Sequence, residues 1–590
     1  MGEADQAGRD DARPHLEDAQ PAAEVATVSP EDARTGGDYV VDALETYGVE
    51  HVFGNPGTTE LPLMDALSRS DEIEYVLGLH EDVAVGMAGG YASTRRYHAH
   101  HDPEVNPAGF VNLHIAPGLA HGLGNIYAAW IAGAPLVVTA GNTGTDFRHE
   151  EPILSGDLVE MTDQFTKWSD EVLDVSALPT MLRRAFRTAL TPPTGPVFLA
   201  LPLDVTLAEI DAEPEPLGPI PDAGAGDQAQ IDLAADYLAA ADNPRLIVGD
   251  LVARAGTDAV EAAVDLAEAA EMGVYGEMLS YEINFPTEHD HWVDFIPPVE
   301  GFGQMMMATD TLVFAGCSTH TTLTSYEEPL VDPDTTCIHL GPDAWELGKN
   351  YDVDAAIVGD PGTVMAELAE RVDERLDEDA RAAHAEALAA ELEDFGGGPD
   401  PAEGGPDERA TKGGLVEELH AVVPEAYIVD ESITAKYQML QRWDFEPEGA
   451  IGNKGGGLGY GLPASIGAAI AEDMRPAPRP TIGFVGDGSY LYYPHSLYSA
   501  ARHDVDVTVV IPDNRNYRIL KDNTLNMLGG EEGDYDFVGM DFEPPVDIVA
   551  NAESHGAQAH LAETRAEIGP AVETALATDG PVVVDALVRD

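Results

Sequence analysis

Short apolar runs alternate with helix-like stretches along most of this chain, and no other feature constrains its fold as strongly. Residues 49–53, 110–115 and 136–140 have the length and composition of buried strands. Residues 81–95 and 119–131, which lie beside them in the sequence, have the length of helices. Alternation of this kind predicts parallel sheets with helices on both faces.

Breaks in composition divide the chain of 590 residues into several units. Residues 1–35 are rich in Asp, Glu, Ala and Pro and predict a disordered acidic tail. Residues 36–212, 228–375 and 412–590 each carry the strand–helix pattern, and an acidic helix with a Gly/Pro-rich linker at 376–411 precedes the third unit. The sequence therefore predicts an α/β protein of three doubly wound parallel-sheet domains.

The charge of the chain excludes several classes of function. It has 107 acidic against 30 basic residues, a net charge of −77, which repels phosphate backbones and anionic lipid. We therefore expect neither nucleic-acid nor membrane binding. Because the acidic residues are spread along the whole chain, we expect a halophilic surface suited to salt that screens charges within about 3 Å at 1 M.

The apolar stretches and the cysteines of the chain indicate in which compartment the protein works. The chain starts without a basic and apolar signal segment, and its most apolar stretch is broken by Gly133 and Pro135, so we expect a cytoplasmic protein. Its two cysteines, Cys317 and Cys337, are too few for a disulfide scaffold or a cysteine zinc site.

A Gly-Asp-Gly-Ser motif, residues 486–489, directly follows the apolar run at 481–485, and Asn514 follows the next predicted strand. Glycines allow a tight turn that brings backbone N–H groups close to phosphate. The Asp487 carboxylate and the Asn514 amide offer oxygen ligands at the carboxyl ends of neighbouring strands, where open sheets bind ligands. The motif predicts a site for Mg²⁺ and a diphosphate.

This pair of motifs resembles the cation site of thiamine-diphosphate enzymes. Glu81, in Gly-Leu-His-Glu-Asp-Val, resembles the family's glutamate, which hydrogen-bonds the aminopyrimidine ring and promotes deprotonation of thiazolium C2. Residues 453–467 resemble the glycine-rich stretch in which an apolar side chain, here Leu458 next to Gly457, wedges the cofactor into a bent shape. Thiamine diphosphate and Mg²⁺ are the implied cofactors.

Further motifs, at residues 54–62, 112–118 and 137–141, are similar to those of the benzoylformate decarboxylase branch, and the similarity covers residues 36–590 in order. The three domains are then the pyrimidine-binding, middle and diphosphate-binding domains of that family. The resemblance implies that Thr58 binds the substrate carboxylate and that His114 donates or accepts a proton. It also implies further cofactor and metal contacts: Thr434, Gly486, Gly488, Ser489 and Tyr517 for thiamine diphosphate, and the Asn516 carbonyl for Mg²⁺ beside Asp487 and Asn514.

The sequence departs from that branch at several positions. Ile433 replaces a hydroxyl that contacts the diphosphate, and the family's second active-site histidine falls near Leu323, three positions beyond His320, whose role stays open. Residues 518–523 are too polar for a pocket that holds a phenyl ring. The histidines in residues 98–102 are expected in a solvated loop without a role.

The resemblance implies non-oxidative decarboxylation of a 2-oxo acid to an aldehyde and CO₂. It also implies a homodimer or homotetramer in which Glu81 of one chain meets the cation site of its partner. An acetolactate synthase-like carboligase is the first alternative; such enzymes often hold FAD, for which we find no fingerprint. A non-catalytic thiamine-diphosphate-binding subunit is the second. No Gly-x-Gly-x-x-Gly motif supports a Rossmann dehydrogenase.

Overall fold

Three separate parallel sheets form the framework of the protein in a computed structural model that describes residues 34–321, 325–395 and 407–589. Each sheet is covered by helices, as the strand–helix alternation predicts, and the α/β fold class is confirmed. Most of the predicted acidic tail, residues 396–406 of the linker, and Leu323 lie outside the described residues.

The first sheet has six strands in the order β2-β1-β3-β4-β6-β5. Its strands are β1 His51–Gly54, β2 Glu74–Leu77, β3 Gly109–Leu113, β4 Leu136–Asn142, β5 Ser169–Glu171 and β6 Val197–Pro202. Its helices are α1 Gly36–Thr46, α2 Leu61–Leu67, α3 Glu81–His101, α4 Ile115–Ala132, α5 Leu158–Thr162, α6 Leu178–Leu190 and α7 Leu203–Leu207.

The second sheet also has six strands, in the order β12-β11-β10-β7-β8-β9. Its strands are β7 Pro244–Val248, β8 Gly273–Gly276, β9 Trp292–Phe295, β10 Thr311–Ala315, β11 Thr336–Gly341 and β12 Ala355–Val358. Its helices are α8 Gln228–Ala240, α9 Asp250–Ala255, α10 Thr257–Ala270, α11 Glu300–Met307, α12 Pro361–Arg375 and α13 Glu378–Phe395.

The third sheet has seven strands, six in the order β13-β19-β17-β16-β14-β15 and β18 paired with β19. Its strands are β13 Ala410–Thr411, β14 Tyr427–Glu431, β15 Ala450–Gly452, β16 Thr481–Val485, β17 Val507–Asp513, β18 Gln558–Ala562 and β19 Pro581–Arg589. Its helices are α14 Lys412–Val422, α15 Lys436–Arg442, α16 Gly461–Asp473, α17 Asp487–Tyr490, α18 Ser496–Arg502, α19 Arg518–Leu528, α20 Ile548–Ser554 and α21 Arg565–Leu576.

Helices α3 and α16 join the first sheet to the third through a very close crossing. A Cβ atom on Gly90 would lie 2.0 Å from the carbonyl oxygen of Ala464, and one on Gly467 would lie 1.8 Å from that of Met87. Side chains at these two positions would force the helices apart, so the glycines fix the crossing. The crossing holds the helix that starts at Glu81 against the third sheet.

The cluster of histidines at residues 98–102 was wrongly expected in a solvated loop. His98, His100 and His101 belong to the last turn of α3, and His98 is buried. His100 and His101 both hydrogen-bond the Glu448 carboxylate, at 3.0 Å and 2.8 Å. These contacts with the third unit extend the helix beyond its predicted end. No helix in the described part of the chain is long and apolar enough to cross a membrane.

Candidate active site

Glu81 and His114 lie side by side because the N-termini of α3 and α4 meet. Glu81 is the first residue of α3 and His114 caps the start of α4. A Cβ atom on Gly118, in the first turn of α4, would lie 2.8 Å from Glu81 Oε1 and 3.2 Å from His114 Cβ. Only a glycine at position 118 leaves room for both side chains. Ile115, directly after His114, has a positive φ of 35°, a strained conformation typical of functional sites.

Glu60, a buried glutamate to which the motif at residues 54–62 gave no role, orients His114. Its Oε2 lies 2.8 Å from His114 Nδ1, while Oε1 accepts hydrogen bonds from the Gly141 amide at 2.9 Å and the Thr59 hydroxyl at 2.6 Å. A carboxylate only accepts, so His114 donates through Nδ1 and its neutral form leaves Nε2 as an acceptor. Thr58 is exposed at the start of the same short turn.

The predicted cation ligands lie at the carboxyl ends of β16 and β17, as expected. Asp487 is 5% exposed, and its Oδ2 has no hydrogen-bond partner among the residues that the structure describes. Burial, together with the neighbouring carboxyl of Asp513, raises the pKa of Asp487 well above its ordinary value. Burial also raises the pKa of Asp585, on β19, to about 7, with Asp513 contributing. A buried group of acidic oxygens with an unpartnered atom suits a hard divalent cation, so the residues fit Mg²⁺.

The loop after β17 positions the other two predicted cation ligands. The amide of Asn516 donates to Asn514 Oδ1 at 3.3 Å, and its side chain donates to the Asn514 carbonyl at 2.7 Å. Arg515 between them has a φ of +59°, so the backbone makes a strained turn at this point.

The Gly486–Ser489 turn lies against β14 and the Tyr517 ring. The Gly486 amide and the Ser489 hydroxyl both donate to the Glu431 carbonyl, at 3.2 Å and 3.3 Å. A Cβ atom on Gly488 would lie 2.6 Å from the Tyr517 ring, so a side chain there would displace the tyrosine. Thr434, predicted to contact the diphosphate, is half-buried after Ile433, whose φ is +53°.

Glu431, a second residue that the motifs did not reveal, holds the glycine-rich loop. Its carboxylate accepts hydrogen bonds from the Asn453 side chain at 2.6 Å and from the Gly461 amide at 2.7 Å, and also from two other backbone amides. Burial raises its pKa to about 7, although these bonds oppose the rise. Gly457 is exposed and Leu458 half-buried in the loop that Glu431 holds.

A buried cation links this loop to the second sheet. Lys454 Nζ lies 2.6 Å from Asp250 Oδ2 and 2.5 Å from Glu277 Oε1. The other oxygen of Glu277 accepts from the backbone amides of Ser318 and Thr319, each at 2.8 Å, directly after β10. The strand order of this sheet reverses between β7 and β10, the place where open sheets bind nucleotides. Here a protein carboxylate accepts from amides that could otherwise bind a phosphate.

The residues that depart from the decarboxylase pattern have contacts of their own. His320 is buried in the second unit, with its ring against Phe314, His339 and Tyr351. On α19, Arg518 pairs with Asp522, and Lys521 pairs with Asp541. Both basic side chains of this segment thus pair with carboxylates, while Ile519 and Leu520 are exposed.

Comparison with known proteins identifies the class to which this site belongs. The chain matches three domain families in order: the N-terminal TPP binding domain of thiamine pyrophosphate enzymes over residues 34–171, their central domain over 231–368 and their C-terminal TPP binding domain over 434–586. The chain therefore belongs to the thiamine pyrophosphate enzyme family, which confirms the resemblance.

Two individual relatives and one solved structure show which members of this family the chain resembles. The chain is 30% identical to benzoylformate decarboxylase of Pseudomonas aeruginosa, over 92% of this chain and 97% of that protein. It is 26% identical to a probable acetolactate synthase large subunit of Methanocaldococcus jannaschii, over 94% and 92%. The crystal structure of benzoylformate decarboxylase from Polynucleobacter necessarius superposes with a TM-score of 0.82 at 25% identity, covering 94% of this chain and 98% of that one.

Proposed function

We propose that this protein catalyses the non-oxidative decarboxylation of a 2-oxo acid to an aldehyde and CO₂, with thiamine diphosphate and Mg²⁺ as cofactors. The observation that carries the proposal is that Glu81 and His114 both lie close to Gly118, with His114 Nδ1 held 2.8 Å from the Glu60 carboxylate. This arrangement places two proton-transfer groups in one site. The 30% identity to a benzoylformate decarboxylase supports the same reaction.

The third unit would hold the cofactors. The side chains of Asp487 and Asn514 and the carbonyl of Asn516 would bind Mg²⁺. Leu458 would support the cofactor from one side. The contacts to thiamine diphosphate would come from Thr434, Gly457, Gly486, Gly488, Ser489 and Tyr517. Thiamine diphosphate, when bound, supplies the nucleophilic carbon and the electron sink for loss of the carboxylate.

The residues of the first unit then act on substrate and protons. Glu81 exchanges a proton with the aminopyrimidine nitrogen of the cofactor. His114, with Nδ1 held by Glu60, presents Nε2 to the reacting carbon and passes protons there. The Thr58 hydroxyl binds the carboxylate of the 2-oxo acid and orients it for departure.

The proposal includes the oligomeric state of the protein and the environment in which it works. Glu81 and the cation site of a partner chain would complete each active site, so the working unit is a homodimer or a homotetramer. The acidic composition supports a halophilic enzyme, and we propose that it works in the cytoplasm.

A carboligase of the acetolactate synthase kind is the second candidate, because the acetolactate synthase relative covers as much of the chain. In that reaction a second carbonyl compound, instead of a proton, would take up the substrate's remaining carbon. The Glu277 carboxylate at the Ser318 and Thr319 amides argues against FAD in the middle unit, because a flavin's diphosphate would meet a buried anion there. We expect the purified protein to be colourless.

The test uses purified protein in molar KCl with Mg²⁺ and thiamine diphosphate. A panel of aromatic, branched and short 2-oxo acids is supplied, and CO₂, aldehyde and hydroxy-ketone are quantified together. Aldehyde equal to CO₂ supports the decarboxylase, whereas a ligated product at about half the oxo acid consumed identifies the carboligase. Unchanged turnover in a Glu81→Gln variant would contradict the role given to Glu81, and no turnover with any acid would overturn the substrate class.

A further inference from the structure

The carboxyl group of Glu81 is closed off from solvent except on one side. The residue is 7% exposed, and its Oε1 faces Gly118 at the start of α4. Its Oε2 makes the one side-chain hydrogen bond that Glu81 has among the described residues, to Nδ1 of His121 at 3.1 Å. Among the described residues, His121 is therefore the side chain placed to receive a proton from this carboxyl.

His121 lies between Glu81 and the surface of the single chain. It lies on the outward side of α4, its side chain is 58% exposed in the single chain, and its Nε2 has no hydrogen-bond partner in the part of the protein described. An imidazole ring has one nitrogen that accepts and one that donates a proton, so His121 can relay a proton between Glu81 and its own far nitrogen.

The neighbouring His80 stacks on the His121 ring, and we assign it no part in proton exchange with Glu81. The two rings stack with centroids 5.1 Å apart. His80 Nδ1 accepts a hydrogen bond from the Asp82 amide at 3.1 Å as the cap of α3, so its proton is on Nε2. The donor set of His80, Glu81 and His121 could hold a metal ion, but the cap bond occupies one His80 nitrogen and a proton the other. We therefore assign no metal here.

We propose that His121 is the positioning residue of Glu81, which holds its carboxyl group and exchanges its proton with the surroundings. The inference rests on the proposed function, in which Glu81 must change protonation state in every cycle. Neither the motif analysis nor the resemblance gave His121 a role.

The exchange conserves protons and charge without any further reactant. When Glu81 releases its proton, the O–H bond breaks as an N–H bond forms on Nδ1 of His121, and the proton on Nε2 of the imidazole passes to water. The reverse transfer loads Glu81 again.

Other titratable groups around this pair define its pH response. His80 and Asp82 flank Glu81 on α3, and the His121 charge acts on the pKa of both of them. From the third unit, the Tyr493 hydroxyl donates to Asp82 at 2.9 Å, and the His495 ring lies 6.2 Å from that of His80. His114 lies on the far side of Gly118.

The experiment compares wild type with His121→Gln, which keeps a hydrogen-bond donor for Glu81 but cannot transfer a proton. Thiamine diphosphate affinity is measured on the apoprotein by intrinsic fluorescence. The exchange rate of the cofactor's C2 proton for deuterium is measured by quenched-flow NMR as a function of pH. His149→Gln, an exposed histidine of the same unit, is the matched control.

We expect His121→Gln to bind the cofactor within about twofold of wild type and to exchange the C2 proton at least about 100-fold more slowly, in line with general acid–base catalysis. Added imidazole should restore part of the rate in His121→Ala. An exchange rate within twofold of wild type, or a loss of cofactor affinity as large as the loss of rate, overturns the proposal. Absence of binding or exchange in wild type instead refutes the proposed function.

Discussion

At the scale of single residues, the surroundings of the Asp487 carboxyl favour a bound cation. Its carboxyl is buried beside Asp513, with one oxygen unpartnered among the described residues, and the pKa of Asp585 is raised to about 7, chiefly by burial. Without a cation, ionisation of these neighbouring carboxyls is unfavourable. We expect Mg²⁺ to raise the melting temperature of the apoprotein, because ligand at 100 times its Kd contributes about 2.7 kcal/mol. Asp487→Asn should abolish this rise and raise the melting temperature in Mg²⁺-free buffer.

The comparison is made by circular dichroism in molar KCl with and without Mg²⁺. Asp536→Asn, an exposed carboxylate of the same unit, serves as control and should respond as wild type does. An equal Mg²⁺-induced rise in Asp487→Asn would show that the cation binds elsewhere.

A second prediction at this scale concerns His339. Burial lowers its pKa to about 4 from 6.5, so the unfolded chain takes up the proton first as the pH falls. The stability that the neutral ring contributes is complete above pH 6.5 and declines until about pH 4. Between pH 7 and pH 5, wild type should lose about 2 kcal/mol more stability than His339→Gln, at 1.36 kcal/mol per pKa unit. Denaturant unfolding at both pH values measures this, and equal losses would contradict it.

Some residues of the site could be predicted from the sequence, and others could not. Asp487 and Asn514 follow predicted strands, and the order of strands alone places them together. Glu60 and Glu431 lie in or beside motif residues, but their roles could not be predicted, because these come from buried contacts with His114 and Asn453, 54 and 22 positions away. Contacts of this kind depend on tertiary packing, and no local pattern encodes them.

At the scale of elements, periodicity predicted long buried strands such as β1, β3 and β4 but missed the shortest strands at the edges of the sheets. The two-residue strand β13 and the three-residue strands β5 and β15 are too short to form a recognisable apolar run. The end of α3 was misjudged for a different reason. Its last turn is rich in histidine, and its polar groups are satisfied by Glu448 of another unit, which the local sequence does not show.

The contact between the second sheet and the glycine-rich loop gives the third prediction. Lys454 is the buried cation between the carboxylates of Asp250 and Glu277, which are 0% and 1% exposed. Lys454→Met removes the positive charge that lies between the two carboxylates. Removal of one partner from a buried ion pair lowers the free energy of unfolding by about 3–5 kcal/mol. Thermal unfolding should therefore begin at a lower temperature in this variant.

The matched control is Lys349→Met, which removes a lysine that is one-third exposed and paired with Glu346. This variant should cost less than about 1 kcal/mol. If both variants unfold at the same temperature, the buried ion pairs of Lys454 contribute no more to the free energy of unfolding than the partly exposed pair of Lys349 does.

For the whole molecule, the net charge of −77 makes salt a determinant of stability. Repulsion among the excess carboxylates opposes the compact state, and screening within about 3 Å at 1 M salt removes most of it. We expect cooperative unfolding, followed by circular dichroism, when the protein is moved from 3 M to 0.1 M KCl. Sucrose of equal osmolality should not replace the salt, and an unchanged melting temperature in dilute buffer would contradict a halophilic surface.

The assembly of the molecule decides whether Glu81 and Asp487 act within one chain or across two. Coexpression of Glu81→Gln and Asp487→Asn chains with different affinity tags, followed by tandem purification, yields heterodimers. If each site takes Glu81 from one chain and the cation ligands from its partner, one of the two sites in a heterodimer is intact. The heterodimer should then show about half of the wild-type activity, although both parent homodimers are inactive. If both groups came from the same chain, every site would carry one lesion, and the heterodimer would be as inactive as its parents.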